Sequence, residues 1–381
     1  MKNQYTTLTG SKNNAGDFLI KYRAKQLFKE LRSDREIIDF NAWEKFDKEK
    51  LQTVNESKAL VLLGGPSLQK NMRPNIYKMS ENLDDIKVPI IAMGIGWKSR
   101  IGNWEDTYNY PLSEASIELL ERINNSGYLS SVRDYHTLNS IRFKGFKNFL
   151  MTGCPAYYDL GFMGKEYQSP SINKVAFSLG VAFIHSSSLE KLMKENILAC
   201  KKQFEDKKFE VVFHHSLDKD KFLSTHGATS THSQRHNEFA KWLEEQNINY
   251  VDISGSAENL MNYYSEVDLH IGYRVHAHIF MNSISKFSIL ISEDGRAKGV
   301  KVVIGGIVLD SFTRFKNDFF SKVLNRLLKS YDKFEANKYL TKEILSNIEY
   351  EKKVDFVQIK NSRNQIDNNF EVMKQFMRQL P

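Results

Sequence analysis

The chain has little cysteine, no long apolar run and no basic arm, and each absence excludes something. Two cysteines, Cys154 and Cys200, in 381 residues cannot make a disulfide framework, which fits a reducing compartment. The longest apolar stretch, Val88 to Trp97, is interrupted by Gly94 and Gly96 and is too short to span a bilayer. No apolar segment follows Met1-Lys2-Asn3-Gln4-Tyr5, so no signal peptide is expected. The net charge of +8 is spread along the chain and, without a nucleic-acid module or basic-aromatic stripe, gives no reason to expect a nucleic-acid partner. A cytoplasmic protein with anionic partners is expected: phosphorylated substrates, acidic polysaccharide or an anionic membrane surface.

At this length two domains are expected, and alternating apolar strands and helical spacings fill both halves. Ala59–Leu63 and Val88–Met93 read as buried strands that end at glycine turns, Gly64-Gly65-Pro66 and Gly94-Ile95-Gly96. A helix over 113–124, a strand over 128–132, a helix over 136–143 and a strand over 149–152 follow. Polar residues 161–173 read as a linker. Beyond it, strands are expected at 175–179, 209–213, 248–253, 267–271, 287–291 and 300–304, and helices at 188–204, 236–246 and 257–264. Thr225 to His236 reads as a Ser/Thr/His-rich loop. The fold class is therefore α/β, with two Rossmann-like doubly wound domains at 1–165 and 174–310. Residues 311–381 form a helical C-terminal extension whose last stripe, Ile366, Phe370, Met373, Phe376, Met377 and Leu380, is expected to dock on the core.

The most informative segment is Asp268 to Ile279. A short strand turns at Gly272 and continues with helical spacing, Val275 to Ile279 and on to Ile284, so Arg274 and His276 fall on the first turn of a helix. Unpaired amides and a positive dipole there suit a phosphate or carboxylate. Arginine adds a planar fork and histidine a group that carries a proton near neutral pH.

The blocks resemble the polysaccharide pyruvyl transferase family over roughly residues 8 to 305. Asn14-Ala15-Gly16-Asp17 is similar to its N-x-G-D opening, Gly64-Gly65 and Gly94-Ile95-Gly96 to its glycine turns, Ser131-Val132-Arg133-Asp134 to its S-V-R-D block, and Arg274-Val275-His276-Ala277-His278-Ile279 to its R-L-H-x-x-I block. The resemblance implies a GT-B-like fold and transfer of pyruvyl from phosphoenolpyruvate to a sugar hydroxyl of a capsule, exopolysaccharide or lipid-linked precursor, with no cofactor. It also implies a site at the inner face of the membrane, with peripheral association. Arg133, Arg274 and His276 match its donor-binding positions, and Arg296 or Lys298 its further basic residue. The chain departs from the family at Pro66, at Cys154-Pro155 in place of an Asp-Pro pair, and at Ser178-Leu179-Gly180, where many members carry an arginine.

In that frame His276 is a general acid for the enol methylene, or else a buried structural histidine. Arg274 grips the donor or forms an inter-domain ion pair. Arg133 binds donor or pairs with Asp134 at the surface. Asp17 is a base for the sugar hydroxyl or a cap for the helix over 18–32. Asn14 and His215 are acceptor-side candidates. No metal is expected: His276 and His278 point to different faces, and His226, His232 and His236 lack the spacing of structural zinc. Cys154 has no base nearby in sequence, so it is not read as a nucleophile. The alternatives are a GT-B glycosyltransferase with a nucleotide-sugar donor and an inactive glycan-binding relative.

Overall fold

Short polar side chains open several helices of this chain. Asp134, Ser186, Ser256 and Asp294 each accept an amide N–H from the first helical turn, satisfying donors that have no partner inside the helix. The computed structural model describes residues 2–10, 15–169, 171–224, 229–316 and 332–381. Asn14 and His226 lie outside them.

The N-terminal lobe contains β1 (Gln4–Thr9), α1 (Ala15–Leu31), β2 (Glu36–Asn41), α2 (Lys48–Glu56), β3 (Ala59–Leu63), β4 (Ile90–Met93), α3 (Glu105–Tyr108), α4 (Glu114–Asn124), β5 (Ser130–Val132), α5 (Tyr135–Arg142) and β6 (Phe149–Met151). Its parallel sheet runs β2-β1-β3-β4. The β5–β6 pair joins the β4 side through a bridge between Ile95 and Val132. This is the flavodoxin-like order, with its switch point between β1 and β3.

The C-terminal lobe contains β7 (Lys174–Ser178), α6 (Ser187–Gln203), β8 (Lys208–Phe213), α7 (Lys219–Leu223), α8 (Ser230–Glu245), β9 (Tyr250–Asp252), α9 (Ala257–Ser265), β10 (Leu269–Gly272), α10 (Val275–Ser283), β11 (Phe287–Ser292), α11 (Gly295–Ile304) and β12 (Ile307–Asp310). Its all-parallel sheet runs β12-β11-β10-β7-β8-β9. That is the order of a dinucleotide-binding sheet, with the switch between β7 and β10. A two-stranded antiparallel pair, β13 (Phe312–Phe315) and β14 (Phe334–Ala336), precedes α12 (Leu340–Lys353) and α13 (Val357–Arg378).

Five elements differ from the sequence reading. β1 and β2 were not anticipated, because Gln4-Tyr5-Thr6-Thr7-Leu8-Thr9 looks half polar; yet all six residues are buried, and Thr7 and Thr9 both donate to Asp39. Residues 300–304 are helix rather than strand. Asp294 caps α11, and Ala297, Val300 and Ile304 bury one side of it, so helical spacing overrides the β-branched run; the strand comes later, at β12. α8 starts at Ser230, two turns before the expected helix, with Thr229 Oγ1 accepting the His232 amide. Finally, α1 begins at Ala15, so Asp17 sits inside the first turn rather than at its cap.

The apolar stripe of α13 is buried. It packs in one core with Leu19, Leu27 and Phe28 of α1 and Phe280 and Met281 of α10, and Arg32 donates to the Leu380 carbonyl at 2.7 Å. The last helix thus ties the lobes together.

Candidate active site

Ligands in open α/β sheets bind beyond the carboxyl ends of the strands, at the switch points. In this molecule the two switch points face one another. Thr9 and Gly10 end β1, and Gly64, Gly65 and Pro66 follow β3. Together with Asp17, Lys98 and, from the opposite lobe, His215, they line a cavity of about 200 Å³. Across it, Gly272 and Arg274 end β10 beside Ser178 at the end of β7, whose Oγ accepts the Arg274 amide at 3.1 Å.

His276 sits in the first turn of α10 and is 9% exposed. Its ring crosses to the other lobe and lies over Gly16: a Cβ on Gly16 would come within 2.0 Å of Nδ1. Nε2 of His276 is buried and has no hydrogen-bond partner among the described residues. His278 is the contrast. Its Nε2 accepts from Asn282 Nδ2 at 3.3 Å and its Nδ1 bonds Ser288 Oγ at 2.8 Å, and so it is the satisfied core histidine of this helix. An orphaned buried ring nitrogen at His276 favours the functional reading over the structural one.

Three guanidiniums surround His276. Burial first, then Arg133, Arg296 and Arg274, push its pKa down to about 3, so the free protein holds it neutral at pH 7. Arg133 reaches the site because Gly96 has no side chain: a Cβ there would meet Arg133 Nε at 1.9 Å. Its contact with Asp134, at 3.4 Å, is a buried pair and not the surface pair considered from sequence. Arg296 donates to both carboxylate oxygens of Asp294, from Nε to Oδ1 at 3.0 Å and from Nη2 to Oδ2 at 2.7 Å. Between Arg133, Cys154 and Tyr157 on one side and Val275, Ile279 and Arg296 on the other, the lobes leave only about 10 Å³, room for a single water. Arg133 is 6% exposed at this contact, while 32% of the Arg296 side chain stays open to solvent.

Arg274 forms no inter-lobe ion pair among the described residues. Its Nη2 donates to His215 Nδ1 at 3.3 Å, and its Nε is buried without a partner. Burial pulls its pKa down to about 10, against the pull of the Glu293 carboxylate. Glu293 itself accepts the Val181 and Ala182 amides at 2.9 Å. Lys298, the other basic candidate, pairs with Asp310 and lines neither cavity. Cys154 is buried, and burial raises its thiol to about 11, which removes it as a nucleophile at neutral pH.

The sequence reading missed one grouping. His232 and His236 are one turn apart on α8 and stack at 4.7 Å, and His215, at the end of β8, joins them. Ring nitrogens of the three lie within 4.8 Å of one another. Placing residues 225–236 in a loop hid the i, i+4 spacing that would have revealed the pair.

Residues 14–280 match the model of the polysaccharide pyruvyl transferase family. No curated protein matches the chain. Among solved structures, the OtsA apo structure is 8% identical with a TM-score of 0.51, over 99% of this chain and 100% of that one. The UDP-GlcNAc 2-epimerase of Methanocaldococcus jannaschii, bound to UDP-GlcNAc and UDP, is 12% identical with a TM-score of 0.46, over 91% and 99%. These likenesses concern the fold, which is that of two-domain GT-B enzymes.

Proposed function

The chain belongs to the polysaccharide pyruvyl transferase family, and from that membership we propose that it moves the pyruvyl group of phosphoenolpyruvate onto a sugar of a cell-surface polysaccharide or its precursor, forming a pyruvate ketal and releasing phosphate. The observation that supports this reading is the convergence of Arg133, Arg274 and Arg296 on His276 where the lobes meet. Phosphoenolpyruvate carries a carboxylate and a phosphate, and arginine forks hold both ends with directed hydrogen bonds that lysine cannot copy.

The field of these arginines decides the protonation chemistry. His276 is neutral without donor. The incoming anion cancels much of the surrounding positive charge, which raises the affinity of the imidazole for a proton. His276 then protonates the enol methylene, and a sugar hydroxyl oxygen attacks the adjacent carbon while Asp17 takes its proton. A second hydroxyl displaces phosphate: its C–O bond forms as the carbon–phosphate oxygen bond breaks. One hydroxyl proton replaces the one His276 gave to the new methyl group, and the other leaves with phosphate. The 200 Å³ cavity beside Asp17 and His215 holds the sugar.

The acceptor is polymeric or lipid-linked. No helix among the described residues is long and apolar enough to cross a membrane, so a lipid-linked acceptor is met by peripheral association at the inner face. The test is phosphate release from phosphoenolpyruvate across a panel of sugar acceptors. His276→Ala is expected to lose about a hundredfold or more in kcat, the usual worth of a general acid. Near-normal turnover by that variant, or turnover with a nucleotide sugar in place of phosphoenolpyruvate, contradicts the reading.

A further inference from the structure

We propose that His215, His232 and His236 form a binding site for a divalent transition metal of the zinc class, and that its occupancy excludes the Arg274–His215 hydrogen bond. The proposal is independent of the donor reading above.

The backbone supplies the geometry. Helix α8 presents His232 and His236 at i, i+4, a spacing that puts two imidazoles on one face and lets both reach one ion. The end of β8 brings His215 from the side, at ring distances of 5.7 Å and 5.9 Å. Imidazole nitrogens bind zinc at about 2.0–2.1 Å, so in a tetrahedral site they lie about 3.4 Å apart. The present spread of up to 4.8 Å closes to that with side-chain rotations of about an ångström.

The hydrogen bonding leaves the nitrogens ready. A carbonyl can only accept, so the contact of 3.2 Å between His236 Nδ1 and the His232 carbonyl fixes the proton on Nδ1. The Nε2 lone pair of His236 is therefore left to accept. It is buried with no partner, and so is Nε2 of His232. A ring N–H given to a carbonyl, with the other nitrogen turned inward, is the arrangement by which proteins orient metal-binding histidines. Phe222 closes one wall, 4.7 Å from His232 and 5.3 Å from His236. An apolar wall beside the ligands excludes water from that side. Three imidazoles without a thiolate leave the fourth position open, as in sites that also take water or an anion.

His215 carries the coupling. An arginine only donates, so Arg274 occupies the Nδ1 lone pair of His215, and the neutral ring then bears its proton on Nε2. Neither nitrogen is free for a metal in that state. Metal binding requires Arg274 to let go, whether the ion takes Nδ1 directly or the ring shifts its proton. Repulsion between the ion and the nearby guanidinium acts in the same direction.

The test uses the untagged full-length chain, stripped with a chelator and titrated with zinc against a chromophoric competitor. One zinc per chain is expected. His232→Ala and His236→Ala are each expected to weaken binding by at least about a hundredfold, more than losing a group that only orients a ligand. Arg274→Gln is expected to tighten it. His236 is fully buried, so a variant that fails to fold is uninformative; the wild-type chain loaded with cobalt(II) then decides, through the visible and X-ray absorption signature of three imidazoles. No uptake by the wild type, or binding that survives His232→Ala, or an all-oxygen coordination shell, overturns the site. Binding that is indifferent to Arg274→Gln overturns the coupling.

Discussion

Gly16 and His276 show how tightly single residues define this site. The imidazole from one lobe occupies the space where a side chain on the other would stand. Gly16→Ala therefore has to displace the ring or part the lobes, a misfit of the overpacking kind that costs about 1–3 kcal/mol. The double variant Gly16→Ala/His276→Ala removes the ring and is expected to melt higher than Gly16→Ala alone. Thermal unfolding of the set measures this; if the double variant melts no higher, the two residues are not in the described contact. Much of this cluster was legible at the residue scale. Arg133, His276 and Arg296 meet at the inter-lobe contact, while Arg274 bonds His215 of its own lobe. Lys298 packs its stem against Gly102 of the other lobe but lines neither cavity, because its ammonium pairs with Asp310. The neutral state of His276 could not be read from sequence, since it comes from burial and from arginines up to 143 positions away, as counted from Arg133 to His276.

At the scale of elements, long apolar periods were readable and short or mixed ones were not. α4, α6, β3 and β11 follow their patterns closely, with ends moved by a residue or so. β1 was hidden because its threonines satisfy their hydroxyls inside the fold, at Asp39 and Ser57, so polar residues could be buried. α11 was hidden because valines and isoleucine favour strands locally, and only the Asp294 cap and the packing of one side decide for helix. The first turns of α8 were lost because Ser, Thr and His are weak helix formers. Tertiary burial of Ser233 and His236 holds them helical, and with them the histidine pair.

Across the whole molecule, the buried histidines couple stability to pH. His276 and His278 both have pKa values pushed down to about 3, chiefly by burial, from an ordinary 6.5. The folded chain thus binds fewer protons than the unfolded one between these limits. Their contribution is complete above pH 6.5 and is lost as pH falls toward 3. Together they remove about 3 kcal/mol per pH unit, a large share of a typical 5–15 kcal/mol stability. The melting temperature is expected to drop steeply from pH 6.5 to pH 5; a flat profile over that range contradicts the buried placement of the two rings.

Under the proposed function, arginines from both lobes grip one small, doubly charged donor. Calorimetric titration of phosphoenolpyruvate tests this most directly. One molecule is expected to bind per chain, with Arg133→Gln and Arg274→Gln each weakening binding by about tenfold or more, as the loss of a charge-assisted hydrogen bond requires. Absence of binding to the wild type, or unchanged affinity in both variants, contradicts it.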